Sequence, residues 1–334
     1  MIYYQCPKCQ RIWQYPIDEC PYCLVPMERK QGNNAKVVGS SKITISSLNH
    51  KKLPYWGIIL EDDKGNKWPQ KSMTEKNVGD EITYTANENA ISIWRVKYDQ
   101  LTAIEETNKL LNFLPNKEEL KVLIVPQLDS PNYSYFRENT SPEFISAMID
   151  FLIKNNVDAD KIMVATQSFN DNPIEASAQK SGLLSACTKK GIMPFDLAQG
   201  SFVEHNGLEI SKSAMDADLV INLPLLKGGD VMATKNLFKI LKTNPDNKEE
   251  AAQKLNTLTN VITIAEAEYT QRPNKTIVFT GLVLGGKDTL RVDRVFSEIV
   301  FHKQLPELVK DIKIEEIETN GRQIEEVRYN IESY

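Results

Sequence analysis

Apolar residues change their spacing twice along the chain, and each change announces a different kind of structure. Residues 1–34 hold few apolar positions in regular order, and the polar run at 29–35 (RKQGNNA) reads as a hinge. From residue 36 short runs alternate: KVVG at 36–39, KITIS at 42–46, YWGIILE at 55–61, EITYT at 81–85 and AISIW at 90–94. The turn residues EDDKGN at 61–66 and NVGD at 77–80 lie between them. β-Branched and aromatic residues at period two, punctuated by Gly, Asn and Asp, predict strands. Five such strands with no helical period between them predict a small barrel of OB-fold size.

Beyond Tyr98 the period becomes helical. Leu101, Ile104, Leu110, Leu111 and Leu114 share one helical face that Pro115 ends. A strand at 121–126 (KVLIVP) precedes a helix at 141–153, with Ser141 as N-cap and Pro142 at its first position. A strand at 161–166, a helical stretch at 173–186 and a strand at 218–224 (DLVINLP) follow. Then come helices at 233–241 and 248–258, strands at 261–265 and 276–283, and a helix at 288–301. Alternation of this kind predicts a largely parallel α/β sandwich. The tail at 313–329 predicts a β-hairpin about Asn320 and Gly321. The fold class is α/β, in three domains: a ribbon at 1–34, an OB-like β-barrel at 35–98 and the α/β domain at 99–334.

Composition narrows the class. The 334 residues are 41% apolar and 25% charged, which allows two or three folding units and excludes a disordered, collagen-like or disulfide-dense chain. No apolar run approaches the roughly 18–20 residues needed to cross a bilayer. The opening MIYYQCPKCQ has neither a basic nor an apolar leader region, so a cytoplasmic location without membrane attachment is expected. Charge is uneven: residues 1–98 carry 14 basic against 10 acidic side chains, and residues 99–334 carry 26 against 35. A surplus of four over the first 98 residues is far from the basic stripe of a nucleic-acid binder.

Four of the five cysteines lie in the first 23 residues, as Cys6-Pro-Lys-Cys9 and Cys20-Pro-Tyr-Cys23. Two thiols two residues apart grip a metal from a tight turn, and two such turns complete a tetrahedral site. Disulfides would need an oxidising compartment. The expected ion is zinc, and iron suits the same four thiolates. A closed set of this kind has a folding role rather than a chemical one. Cys187, after Leu183, Leu184 and Ala186, is expected to pack in a helix face.

The two cysteine knuckles, the hinge and the strand-rich segment with its Val78-Gly79-Asp80 turn together resemble the DUF35 family of zinc-ribbon plus OB-fold proteins. That resemblance covers residues 1 to about 98 and implies a module that accompanies acyl-CoA enzymes. The knuckle glycines usual in that family are Gln10 and Leu24 here. The remainder resembles the DUF362 family through VLIVPQL at 122–128, TSPE at 140–143, ADLVINLPLLK at 217–227 with ATKNLF at 233–238, and Lys287-Asp288 with Val292-Asp293. Where that family carries Lys, Asn and His, this chain has Val125, Gln127 and the Gly228-Gly229 pair. Some DUF362 relatives add a cluster-binding cysteine array, but Cys187 stands alone here, so no iron–sulfur cluster is expected.

In an open parallel sheet ligands sit beyond the carboxyl ends of the strands. Gln127 and Asp129, Gln167 and Ser168, Asn222 and Lys227, and Glu266 and Glu268 follow four strands. Lys227-Gly228-Gly229 leads to Ala233, Thr234, Lys235 and Asn236 at a helix start, where backbone N–H groups favour an anion. The alternative is that the glycines only turn the chain and both lysines are solvated. Asp288 joins the candidates, with a helix cap as its plainer role and a surface carboxylate as that of Asp293. His50, His205 and His302 are scattered, and GLVLGGK at 281–287 lacks the ending of a phosphate loop.

Three functions fit. The first is an enzyme or degenerate enzyme binding an anionic small molecule, such as a phosphate or CoA ester, at the α/β rim. The second is a non-catalytic accessory protein whose ribbon–barrel module docks an acyl-CoA enzyme or carrier. The third, ranked lowest, is single-stranded nucleic-acid binding, with Trp56, Trp68, Tyr84 and Trp94 as stacking faces.

Overall fold

The computed structural model describes residues 2–13, 17–31, 34–45, 53–83, 87–96, 99–170, 172–272, 274–300 and 305–328. His50, Tyr84 and His302 lie outside the described residues. The chain forms two compact units, the first reaching Ala86 and including Glu325–Val327, the second formed by most of the rest.

In the first unit β1 (Ile2–Gln5) pairs antiparallel with β2 (Ile12–Trp13) and with β3 (Glu28–Gln31). Arg29 and Lys30, expected in a hinge, are therefore strand residues facing Tyr4 and Tyr3 in register. A second antiparallel sheet has the order β6 (Lys67–Ser72), β5 (Tyr55–Asp62), β4 (Asn34–Ile43) and β7 (Glu81–Thr83). The runs at 36–39 and 42–46 were expected as separate strands. Up to Ile43 they form one, carried through by an irregularity between Val37 and Gly39. At that irregularity the Val78-Gly79-Asp80 turn docks: Val37 N donates to Asp80 O and Gly79 N donates to Val37 O. Ala35, Val37, Ile58, Leu60 and Trp68 form the core of this sheet.

The expected fifth barrel strand is not in this sheet. As β8 (Ile91–Arg95) it lies in the large sheet, between β16 (Ile277–Gly286) and β17 (Thr319–Gly321). Ile91, Ser92, Ile93 and Trp94 are all buried, so the strand is covered on both faces and its alternating sequence never meets water. Gly285 and Gly286 make room for this: a Cβ on Gly286 would overlap Ile91 Cδ1, and one on Gly285 would lie 2.9 Å from Leu111 Cδ1. These glycines of the 281–287 run serve close packing rather than phosphate binding.

The second unit contains helices α1 (Gln100–Leu111), α2 (Pro142–Lys154), α3 (Ile174–Ser181), α4 (Leu183–Thr188), α5 (Lys212–Asp216), α6 (Met232–Leu237), α7 (Lys248–Leu255) and α8 (Thr289–Val300), with α9 (Ile324–Val327) near the end of the described chain. Its remaining strands are β9 (Val122–Pro126), β10 (Ile162–Thr166), β11 (Phe195–Asp196), β14 (Leu219–Leu223) and β15 (Val261–Gln271), with β12 (Phe202–His205) and β13 (Leu208–Ser211) as a separate hairpin. The eight-stranded order is β11-β10-β9-β14-β15-β16-β8-β17, parallel from β11 to β15. The molecule is thus α/β with a mostly parallel sheet, as expected. The Asn320-Gly321 pair does not turn a hairpin: it ends β17, parallel to β8, and residues 324–327 are helical. No helix among the described residues is long and apolar enough to cross a membrane.

Candidate functional site

The carboxyl ends of β9 and β14 are tied by side chains. Asn222 Nδ2 donates to Ala233 O (2.8 Å) and Thr263 Oγ1 (3.0 Å), which leaves its Oδ1 to accept from Asn236 Nδ2 (2.9 Å). Asn236 Nδ2 also donates to Val125 O (2.8 Å), so α6 is held against both strand ends. The Asn236 Oδ1 that remains is buried, with no hydrogen-bond donor among the described residues. Beyond Pro126, Gln127 braces the following loop: its Nε2 donates to Glu138 O (2.8 Å), and its Oε1 accepts from Leu225 N (3.1 Å).

These braces frame a cavity of about 370 Å³. Gln127, Asp129, Lys227, Lys235 and Asn236 line it, so five of the nine expected ligand-site residues meet there. The other four do not. Asn222 is fully buried in the strut just described. Gly228 donates its N–H to Gln271 O (2.9 Å), and Gly229 turns the chain at φ +76°. Asp288 caps α8, accepting from Arg291 N (3.1 Å) and from Asn256 Nδ2 (2.9 Å). Gln167, Ser168, Glu266 and Glu268 also lie off the cavity: Gln167 Nε2 binds Lys239 O (2.7 Å), and Glu268 accepts from Gln100 Nε2 (2.7 Å).

The sequence reading missed Phe169, Asp230, Lys239 and Lys248 in the lining. Lys239 sits in a 3₁₀ turn after α6, and its Nζ lies 2.5 Å from Asp129 Oδ1 with the side chain almost wholly buried. A lysine in an apolar run, FKIL at 238–241, was the available signal. Lys235 pairs with Asp230 at 2.6 Å, and Lys227 Nζ donates to Glu138 O (3.1 Å). Burial alone would raise the Asp129 carboxyl, but Lys239 and Lys227 outweigh it and hold it below the usual carboxylate range. Burial depresses the Lys227 ammonium against the pull of Asp129 and Glu138.

The helix start itself is not open to an external anion. Ala233 N and Thr234 N donate to the two carboxylate oxygens of Asp293, at 2.9 Å each. Asp293 is therefore not a surface carboxylate: it is buried, and it supplies the negative charge that the amides favour. Burial pushes its pKa up to about 7, against those two amides.

In the first unit Cys6, Cys9, Cys20 and Cys23 place their Sγ atoms within 4.8 Å of one another. The Cys9–Cys20 Sγ separation of 3.7 Å matches the edge of about 3.8 Å expected for thiolates about 2.3 Å from one tetrahedral metal. The four cysteines can hold one metal ion. Gln10 and Leu24, where the resemblance implied glycine, take up left-handed backbone (φ 60° and 51°), so the knuckle turn forms without glycine. Their amides donate to Cys6 O and Cys20 O, both at 2.9 Å. Cys187 is fully buried, and burial lifts its thiol to about 12. Trp68 and Trp94 are buried and offer no face to a base.

No curated protein matches the chain. Among solved structures one match is "Ltp2-ChsH2(DUF35) aldolase", at 12% identity over 30% of this chain and 76% of that one, with a TM-score of 0.22. The linked asparagines 222 and 236, the cavity and the Asp293 cap all fall within residues 122–298, the span matched by the family model "Domain of unknown function (DUF362)". That span is more than half of the chain, and the protein belongs to the DUF362 family.

Proposed function

We propose that the cavity beyond β9 and β14 binds an anionic small molecule, with Lys227 as its main contact. The observation that carries this reading is the gathering of four lysines, Lys227, Lys235, Lys239 and Lys248, around one cavity in an otherwise acidic part of the chain. Among the described residues two aspartates, Asp129 and Asp230, share the lining, which leaves a surplus of lysines over carboxylates there. With the amides of Ala233 and Thr234 committed to Asp293, recognition falls to side-chain ammonium groups rather than to the helix start. The four N-terminal thiolates hold zinc in this reading, as a folding element remote in sequence from the cavity.

The test is thermal stabilisation of the full chain by a panel of phosphates, CoA esters and carboxylates. At least one class is expected to raise the melting temperature of the parent, and Lys227→Met is expected to lose most of that rise. An equal rise in the variant, or no rise with any member of the panel, rejects the reading.

A further inference from the structure

Resting on that anion reading, we propose that the ligand is a dianionic organic phosphate, held by its monoester end at Lys227 and Lys248 with its organic part against Phe169. Of the four lysines, two are neutralised within the fold, Lys239 by Asp129 (2.5 Å) and Lys235 by Asp230 (2.6 Å). Among the described residues, Lys227 and Lys248 have no carboxylate at ion-pair distance. Lys227 uses one of its three N–H donors on Glu138 O, so two remain. Among the described residues two lysines are thus left without an ion pair: Lys227 is half-buried and feels Asp129 and Glu138 only through space, and Lys248 is exposed. A dianion attracts both ammonium groups more strongly than a monoanion does.

The type of cation narrows the chemistry. Among the described residues no arginine lines the cavity, so none of them offers the planar fork that pairs with a carboxylate. An ammonium is a compact point charge with rotatable donors, which suits a tetrahedral phosphate approached from several sides. Size adds the organic part. About 370 Å³ is within the range of small-molecule pockets and far more than bare phosphate fills. Phe169, with a third of its surface exposed, and Met232 and Phe238 give that volume an apolar wall.

Calorimetry on the full chain with four probes tests this: phenyl phosphate, diphenyl phosphate, phthalate and inorganic phosphate. Phenyl phosphate is expected to bind tightest near pH 7.5. It should weaken about tenfold near pH 5, because the second phosphate proton, with a pKa of about 6, is then restored. Lys227→Met and Lys248→Met should each weaken it about tenfold. Phe169→Ala should narrow the preference for phenyl phosphate over inorganic phosphate. Lys242→Ala, at an exposed lysine paired with Glu209, serves as the unaffected control. Melting curves of each variant confirm that it folds. If diphenyl phosphate matches phenyl phosphate, if phthalate binds tighter, or if Lys248→Met binds as the parent does, the dianionic phosphate is overturned while the anion cavity stands. If none of the four probes binds, the dianionic phosphate is overturned, and the anion reading falls with it only where the wider panel also leaves the melting temperature unchanged.

Discussion

Glu266 shows what burial does to a single residue. It sits in β15 with no exposed surface, accepts from Ser141 N (2.8 Å) through one oxygen, and has Arg137 at 3.5 Å from the other. Burial dominates and raises its pKa from an ordinary 4.5 to about 7. The unfolded side chain loses its proton near the lower value and the folded one near the higher. The stabilising contribution is therefore complete below about pH 4.5 and is lost as pH rises towards 7. Across that window the loss is about 3 kcal/mol, as an order of magnitude. Glu266→Gln should flatten this segment of a stability-against-pH curve measured by urea unfolding. An unchanged slope would show that the carboxyl is already ionised at pH 5. From sequence Glu266 is one of several strand-end carboxylates, since nothing local distinguishes a buried one from a solvated one.

At the scale of elements, the same dipeptide has two outcomes. Asn206-Gly207 turns the β12–β13 hairpin with both residues at positive φ, whereas Asn320-Gly321 ends a parallel strand beside β8. The pair encodes a readiness for left-handed backbone and not a partner strand. Leu24 shows the reverse case, a turn that forms against local preference. It holds φ 51° with 77% of its surface exposed, so it has little packing to offset the cost of about 1 kcal/mol for a left-handed residue. Leu24→Asn should therefore stabilise the knuckle by up to about 1 kcal/mol, read as slower metal release to a chromogenic chelator. Faster release would show that the leucine side chain contributes packing. Gln10 is a less clean site, because its Nε2 donates to Pro7 O at 2.8 Å.

For the whole molecule, each of the two units has its own core, with Val37, Leu60 and Trp68 in the first and Leu123, Val220 and Phe238 in the second. Stripping the metal should then act locally. Hydrogen exchange is expected to quicken in residues 2–13 and 17–31 while β9 and β14 keep their protection. Equal loss of protection in both would contradict a purely local folding role.

Features held within a short stretch of chain could be read directly. The four cysteines declare a metal knuckle by spacing alone, Ser141 and Pro142 declare the start of α2, and alternating strands and helices declare a parallel sheet. The rim beyond β9 and β14 is a different case: five of the nine expected residues line the cavity and four do not. Tertiary structure alone decided the partners. Asp293 reaches Ala233 across sixty positions and closes the helix start, Lys239 reaches Asp129 across 110, and β8 leaves the small sheet for the large one. Periodicity determines which face of an element is apolar. Which distant group satisfies a buried amide, charge or strand edge depends on desolvation, and that is set only when the chain has folded.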